Sequence, residues 1–294
     1  MYKKWFLPFI TPAIILFSLV VGLPFIIGVL YSFSAWRGVY FKGGDNIFHA
    51  WVGFENYKKV FRNPDFLHAL LYTMEFTVIA VIAVNLFAMA QALLINAVGR
   101  AVGFFRATFF LPNLLGGLAL GYIWLFIYEN IFSSVLFGPK GLMPFELLTN
   151  MTQDHTKNLI ALLIMFVWQQ SGYMMVIYTT GLASISQDYY EAASIDGAGP
   201  VKRFVHITVP LLMPSITIVL FMTLANSFKL LDPNVALTNG EYDTRMLALQ
   251  ILRVPKDTSN NYGLAQAEAV LFFLIVAAIS IAQVIATKSR EVEA

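Results

Sequence analysis

The stretch "YYEAASIDGAGP", residues 189–200, decides the fold. It sets three small residues, two carboxylates and two glycines between long apolar runs. Asp188 suits a helix N-cap, and Glu191 three residues later completes a capping-box pattern. Acidic groups also suit the positive end of a helix. Gly197 is a good C-terminal stop, and Pro200 can open the next helix. The pattern predicts a two-turn helix over 188–196, a turn, and a further helix running on towards Ile207. Tyr189, Ala192, Ala193 and Ile195 give the short helix an apolar surface, and the two alanines let another backbone approach. Two readings stand side by side: a plug for a socket on a partner, or a loop lying on lipid headgroups.

The rest of the chain says which medium surrounds that island. Of 294 residues, 58% are hydrophobic and 12% are charged. Mean hydropathy is +0.70. Soluble domains average roughly 25% charged residues, so this composition implies a polytopic membrane protein. A span needs about 20 mostly apolar residues. Runs of that kind fall near 8–34, 72–97, 104–128, 157–183, 207–230 and 264–287, within one transmembrane domain over 1–294. Six spans put both termini on one side, with the loop 184–206 on that same side. The N-terminal run continues past the length of a signal-peptide core without a small-x-small break, so it reads as a retained first span.

Charge placement is equivocal about orientation. With the N-terminus inside, the inner segments hold Lys3, Lys4, Arg100, Arg106, Lys202, Arg203, Lys288 and Arg290. The remaining basic residues would lie outside, in long loops where the positive-inside rule carries less weight.

Several chemistries are excluded. The net charge of +2 is too small for nucleic-acid binding, and the chain has no cysteine. The four histidines are dispersed and match no metal-ligand spacing. No phosphate-binding loop, nucleophile elbow or zinc-protease pair occurs. Nucleotide hydrolysis and independent enzyme activity are therefore not expected of this chain.

Polar residues within spans are costly in lipid and tend to face a cavity or a partner helix. Asn85, Gln91, Gln169, Gln170, Asn226, Lys229 and Glu268 are such residues. "FVWQQSGYMM", 166–175, gathers an indole, two amides, a hydroxyl and a phenol, a set that suits polyhydroxyl ligands or, equally, interhelical hydrogen bonding. Lys229 and Asp232, three apart, suggest a structural ion pair. Gly117 and Gly121 in "GGLALG" have the spacing that lets helices approach closely. Pro24, Pro112, Pro210 and Pro214 predict kinks or breaks.

The stretch "EAASIDGAGPVKRFVHITVP", 191–210, resembles the EAA loop of ABC-importer permeases: E-A-A, three residues, G, nine residues, I-x-L-P. Glu191, Ala192, Ala193, Gly197, Ile207 and Pro210 fall on that pattern, and Val209 replaces its usual Leu. "LPFITPAIILF", "WVGFENYKKVFRNPDFLHALLYT" and "FFRATFFLPNLL" are similar to the sugar-type branch, relatives of the maltose and glycerol-phosphate permeases. The resemblance implies an all-α, type I ABC importer transmembrane domain with six helices, N-terminus inside.

It also implies the partners: a homologous second permease subunit, two ATP-binding subunits that carry the ATP and magnesium, an extracellular solute-binding protein docked on the loops near 35–71 and 231–263, and the surrounding membrane lipid. No cofactor is expected in this chain. Glu191 would meet a basic residue of the ATPase. Trp168, Gln169, Gln170, Tyr173, Asn226, Phe228 and Lys229 would face the carbohydrate. Alternatives are the same machinery with another solute, or an ion-coupled secondary transporter. The latter lacks an acidic residue at a span centre.

Overall fold

A computed structural model describes residues 3–96 and 101–291. Arg100, one of the inner basic residues counted above, lies outside the described residues. Helices dominate: α1 (Lys3–Phe17), α2 (Leu23–Ser32), α3 (Glu55–Arg62), α4 (Pro64–Asn96), α5 (Val102–Phe110), α6 (Gly117–Phe126) and α7 (His155–Ser184), then α8 (Gln187–Ile195), α9 (Pro200–Arg203), α10 (Val209–Leu211), α11 (Met213–Phe228), α12 (Asp232–Leu237), α13 (Leu247–Asp257) and α14 (Tyr262–Lys288). Among the described residues, β pairing is confined to isolated bridges such as Ser34 with Trp51.

Among the described residues, five helices or continuous helix runs have the length and apolarity to cross a bilayer: Phe6–Ser32, Pro64–Ile95, Gly117–Leu136, His155–Ser184 and Tyr262–Lys288. The helices Pro200–Leu211 and Met213–Phe228 pass the same test only as a pair and meet at 71°, which makes six crossings if the bent pair is one span. Pro210 and Pro214 flank the break at Leu212, as expected when two closely spaced prolines remove helix hydrogen bonds. The third span departs from the sequence expectation of 104–128. α5 runs only to Phe110, a 3-10 turn covers Leu111–Leu114, and the span proper starts at Gly117 and continues as a π-helix over Ile127–Leu136. Pro112 closes α5 and extended Gly116 resets the direction.

Contacts group the chain into two compact units, residues 1–67 with 250–275, and 68–249 with 276–294. In the first, Asn56 donates to the carbonyls of Ser32 (2.8 Å) and Ser34 (2.9 Å), tying α3 to the end of α2. Phe33 stacks on Trp51 and meets Phe54 and Tyr57 edge-on or tilted. No residue is buried along the most apolar stretch of the first span, although Phe25 meets Phe273 of α14 edge-on at 5.0 Å.

In the second unit α7 is central, with 56% of its most apolar stretch buried. Phe76, Val84, Leu162, Met165, Phe166 and Met174 belong to one core. Because lipid tails are as apolar as leucine, such packing rests on close fit and interhelical hydrogen bonds. The hydroxyl of Tyr178 donates to Asn85 Oδ1 at 2.6 Å, and that of Tyr72 to Asn158 Oδ1 at 2.7 Å. Asn85 thus serves helix packing.

Candidate functional site

Two places in the second unit gather the residues singled out from the sequence. The first is a cavity of about 430 Å³ between α7, the end of α11 and the start of α12, lined by Gln169, Gln170, Asn226, Lys229 and Asp232 with Gly117 and Phe166. Asn226 Nδ2 donates to Gln170 Oε1 at 3.0 Å, and Gln169 Nε2 donates to the Leu115 carbonyl at 3.4 Å. The amides are thereby oriented across a helix boundary. The amide nitrogen of Gln170 and the carbonyl oxygen of Asn226 are left as a donor and an acceptor for a ligand. Glycine creates the wall opposite: a Cβ on Gly117 would lie 3.0 Å from Asp232 Cβ, and one on Gly121 2.5 Å from Ala236 Cβ. Gly117 and Gly121 therefore pack α6 against α12.

Lys229 and Asp232 form no ion pair, contrary to the sequence expectation. Lys229 caps α11, and Leu231, at φ −110° and ψ −63°, intervenes before α12 begins. Helical i,i+3 geometry does not apply across that break, and both charged groups stand at the cavity.

The structure does not bring Trp168, Tyr173 or Phe228 into this cavity. Trp168 points to a separate, larger cavity of about 760 Å³, with Phe87, Gln91, Phe109 and Leu115, and meets Trp124 edge-on at 5.6 Å. Tyr173 is half-buried beside Phe110. Phe228 is fully buried. One helical turn carries side chains in all directions, so neighbours of Gln169 and Gln170 in sequence face elsewhere. Gly117, expected only to allow close helix packing, and Pro233, not singled out at all, also line the cavity, since nothing local in the sequence announces a contact between segments so far apart.

The second place is the 184–206 loop. Ser186, not Asp188, caps α8: its hydroxyl accepts from the Asp188 amide at 3.3 Å. At the other end the Gly197 amide bonds the Ser194 carbonyl and the Ala198 amide bonds the Ala193 carbonyl, with Gly197 at φ +75°. This is a Schellman stop, for which glycine is the favoured residue. Arg203 donates to Ser194 Oγ at 2.8 Å, and the Tyr190 and Thr208 hydroxyls are 3.0 Å apart, so α8 is braced against the helix that follows. Glu191 and Ala192 are exposed and Ala193 is half-exposed, while Ile195 is 88% exposed. Ile207 and Pro210 are half-buried. The Thr217 hydroxyl, four residues into α11, donates to Glu291 at 2.9 Å. α8 and the C-terminal end of α14 therefore lie at the same end of this unit.

The loop 238–244, another polar stretch of interest, is held firmly. Asn234 donates to the Thr244 carbonyl at 2.7 Å and accepts from the Met246 amide at 3.0 Å. Asn239, Gly240, Tyr242 and Asp243 all take left-handed conformations there.

A polytopic helical protein with an amide-lined cavity beside a broken span, and a rigid, exposed helix at one end of the bundle, is a membrane transport subunit of the type I ABC importer fold. The chain belongs to the family of binding-protein-dependent transport system inner membrane components, whose model matches residues 99–291. It is 37% identical, over 98% of this chain and 96% of the relative, to the probable starch degradation products transport system permease protein AmyD of Thermoanaerobacterium thermosulfurigenes. It is 29% identical, over 99% and 97%, to the multiple sugar-binding transport system permease protein MsmF of Streptococcus mutans. A chain in the crystal structure of a bacterial ABC transporter involved in the import of the acidic polysaccharide alginate shares the fold. The TM-score is 0.77 at 19% identity, covering 98% of this chain and 96% of that one.

Proposed function

We propose that this chain is the permease subunit of an ATP-driven carbohydrate importer, forming half of the translocation pathway and drawing its energy from separate ATP-binding subunits through α8. The observation that carries the coupling role is the rigid helix itself: capped by Ser186, stopped at Gly197, braced by Arg203, and presenting Glu191, Ala192 and Ile195 outward. Small residues leave room for a close-fitting socket, and Glu191 supplies a charge for a basic partner.

Carbohydrate is supported by the chemistry of the 430 Å³ cavity, where two glutamines and an asparagine offer donors and acceptors. One cation, Lys229, and one anion, Asp232, stand in the same wall, so the cavity has no net charge and favours a neutral polyhydroxyl ligand over a polyamine or a phosphate ester. The printed names of AmyD and MsmF, which concern starch products and multiple sugars, point the same way.

The assembly would comprise this chain, a homologous second permease, two ATP-binding subunits holding ATP and magnesium, and an extracellular solute-binding protein on the loops near 35–71 and 231–263. It would sit in the cell membrane with both termini cytoplasmic. ATP-driven closure would move α8 as a rigid body and switch the cavity between its two openings; such a switch needs two discrete arrangements, each favoured by a different ligand state. The bend at Leu212 lies on the path from α8 to the cavity wall at Asn226.

The test is Glu191→Lys in the assembled complex. Membrane insertion and thermal stability should match the wild type while copurification of the ATP-binding subunit and sugar-dependent ATPase activity fall. Unchanged uptake by this variant would refute the coupling role.

A further inference from the structure

The face of α3 that turns away from its own unit carries exposed rings beside basic side chains. Asn56 and Val60 are buried against the unit. On the other side, Phe54 is 68% and Phe61 61% exposed. Residues 54, 58 and 61 follow an i, i+4, i+7 line, so Lys58 stands between the two rings. Lys59 and Arg62, also exposed, are adjacent and form no ion pair among the described residues, whereas Lys58 is held by Glu55 at 2.9 Å. Phe48, 82% exposed, and Trp51, half-exposed and stacked on Phe33, belong to the same loop.

Exposed aromatic rings beside basic side chains are the pattern of a helix lying in the membrane interface. The rings enter the headgroup–acyl boundary and the cations reach the phosphates. The position of α3 fits. Asn56 and Tyr57 bond to Ser32, the last residue of the first span, at 2.8 and 2.6 Å, so α3 lies level with the end of a membrane-crossing helix. Asn63 alone separates it from α4, whose own exposed apolar stripe begins at Leu67 and continues through Leu71, Val78 and Ile82. An apolar surface five residues from α3 places lipid within its reach.

We infer that α3 is an interfacial anchor that binds anionic phospholipid headgroups through Lys59 and Arg62, with Phe54 and Phe61 inserted beneath them. It fixes the depth at which the first span ends. A polar or acidic protein partner would leave the two phenyl rings without a match; a lipid surface satisfies rings and cations together.

The chain has no cysteine, so one can be introduced and labelled alone. Phe61→Cys, carrying an environment-sensitive fluorophore, is reconstituted as the full chain in vesicles of phosphatidylcholine with or without phosphatidylglycerol. A phospholipid bearing a doxyl group near its headgroup should quench it, more strongly in the anionic vesicles. Combining it with Lys59→Gln and Arg62→Gln should abolish the anionic increment, each basic group contributing roughly fivefold in surface affinity. Phe54→Cys repeats the measurement should the first variant misfold. Quenching by aqueous iodide without quenching by doxyl lipid would overturn the proposal. So would shielding from both, or shielding that appears only when a solute-binding protein is added, since each places solvent or protein on this face.

Discussion

Gly121→Ala tests the contact that builds one wall of the cavity. On helix propensity alone the change should stabilise α6 by roughly 1 kcal/mol, because alanine is the best helix former and glycine among the worst. The structure reverses the sign. A Cβ at Gly121 would stand 2.5 Å from Ala236 Cβ and 3.3 Å from the Pro233 Cα, and ordinary contact begins at 3.4 Å. The neighbour must therefore retreat by about 0.9 Å. Because one of the opposing atoms is backbone, a rotamer change cannot absorb the shift and α12 must move as a whole. Overpacking of this kind costs about 1–3 kcal/mol. Against the propensity gain, the net effect is a loss of about 0–2 kcal/mol with a midpoint near 1 kcal/mol, or roughly 2–4 °C in Tm at that midpoint. Ala236→Gly removes the opposing methyl. Alone it should cost roughly 1 kcal/mol in helix propensity, and combined with Gly121→Ala it should return the protein to near wild-type stability. Thermal unfolding of the detergent-solubilised protein, followed by tryptophan fluorescence, reads all four members of the cycle. A Gly121→Ala variant more stable than the wild type, or a double variant no better than the single, would refute the packing described here. Gly22→Ala, with nothing within 4 Å of the added methyl, is the control: it should show the propensity gain of up to roughly 1 kcal/mol with no clash to offset it.

Other outcomes follow from single contacts. Tyr178→Phe removes the hydrogen bond to Asn85 and should lower stability by about 0.6–1.7 kcal/mol, the range for interhelical bonds in a bilayer, read as a fall in Tm. Gly197→Ala forces a side chain into a left-handed position at φ +75°, costing about 1–2 kcal/mol at that turn. It should loosen α8 and reduce sugar-stimulated ATPase activity of the assembled complex while leaving overall stability largely intact. Gln170→Leu frees Asn226 of its partner and should weaken sugar-stimulated ATPase activity more than Tyr173→Phe, since Tyr173 does not line the cavity.

The residue string alone identified an all-helical membrane chain and located the helix at 187–195 to within a residue, because bilayer thickness and cap chemistry are both local constraints. Gly197 and Pro200 carry their meaning in any surroundings, and the kinks at Pro210 and Pro214 are equally local. Gly121 illustrates the limit. Its spacing from Gly117 announced a close approach, but not that α12 is the helix that approaches. Trp168 and Tyr173 seemed to belong with Gln169 and Gln170 by proximity in sequence, yet a helix distributes consecutive side chains around its axis, and only the amides reach the cavity. Likewise Lys229 and Asp232 have ion-pair spacing only if the helix continues between them, and it ends at Phe228. Length, apolarity and capping are properties of a segment and can be read from it. A cavity wall is a relation between segments more than a hundred residues apart, and tertiary packing alone decides which of them meet.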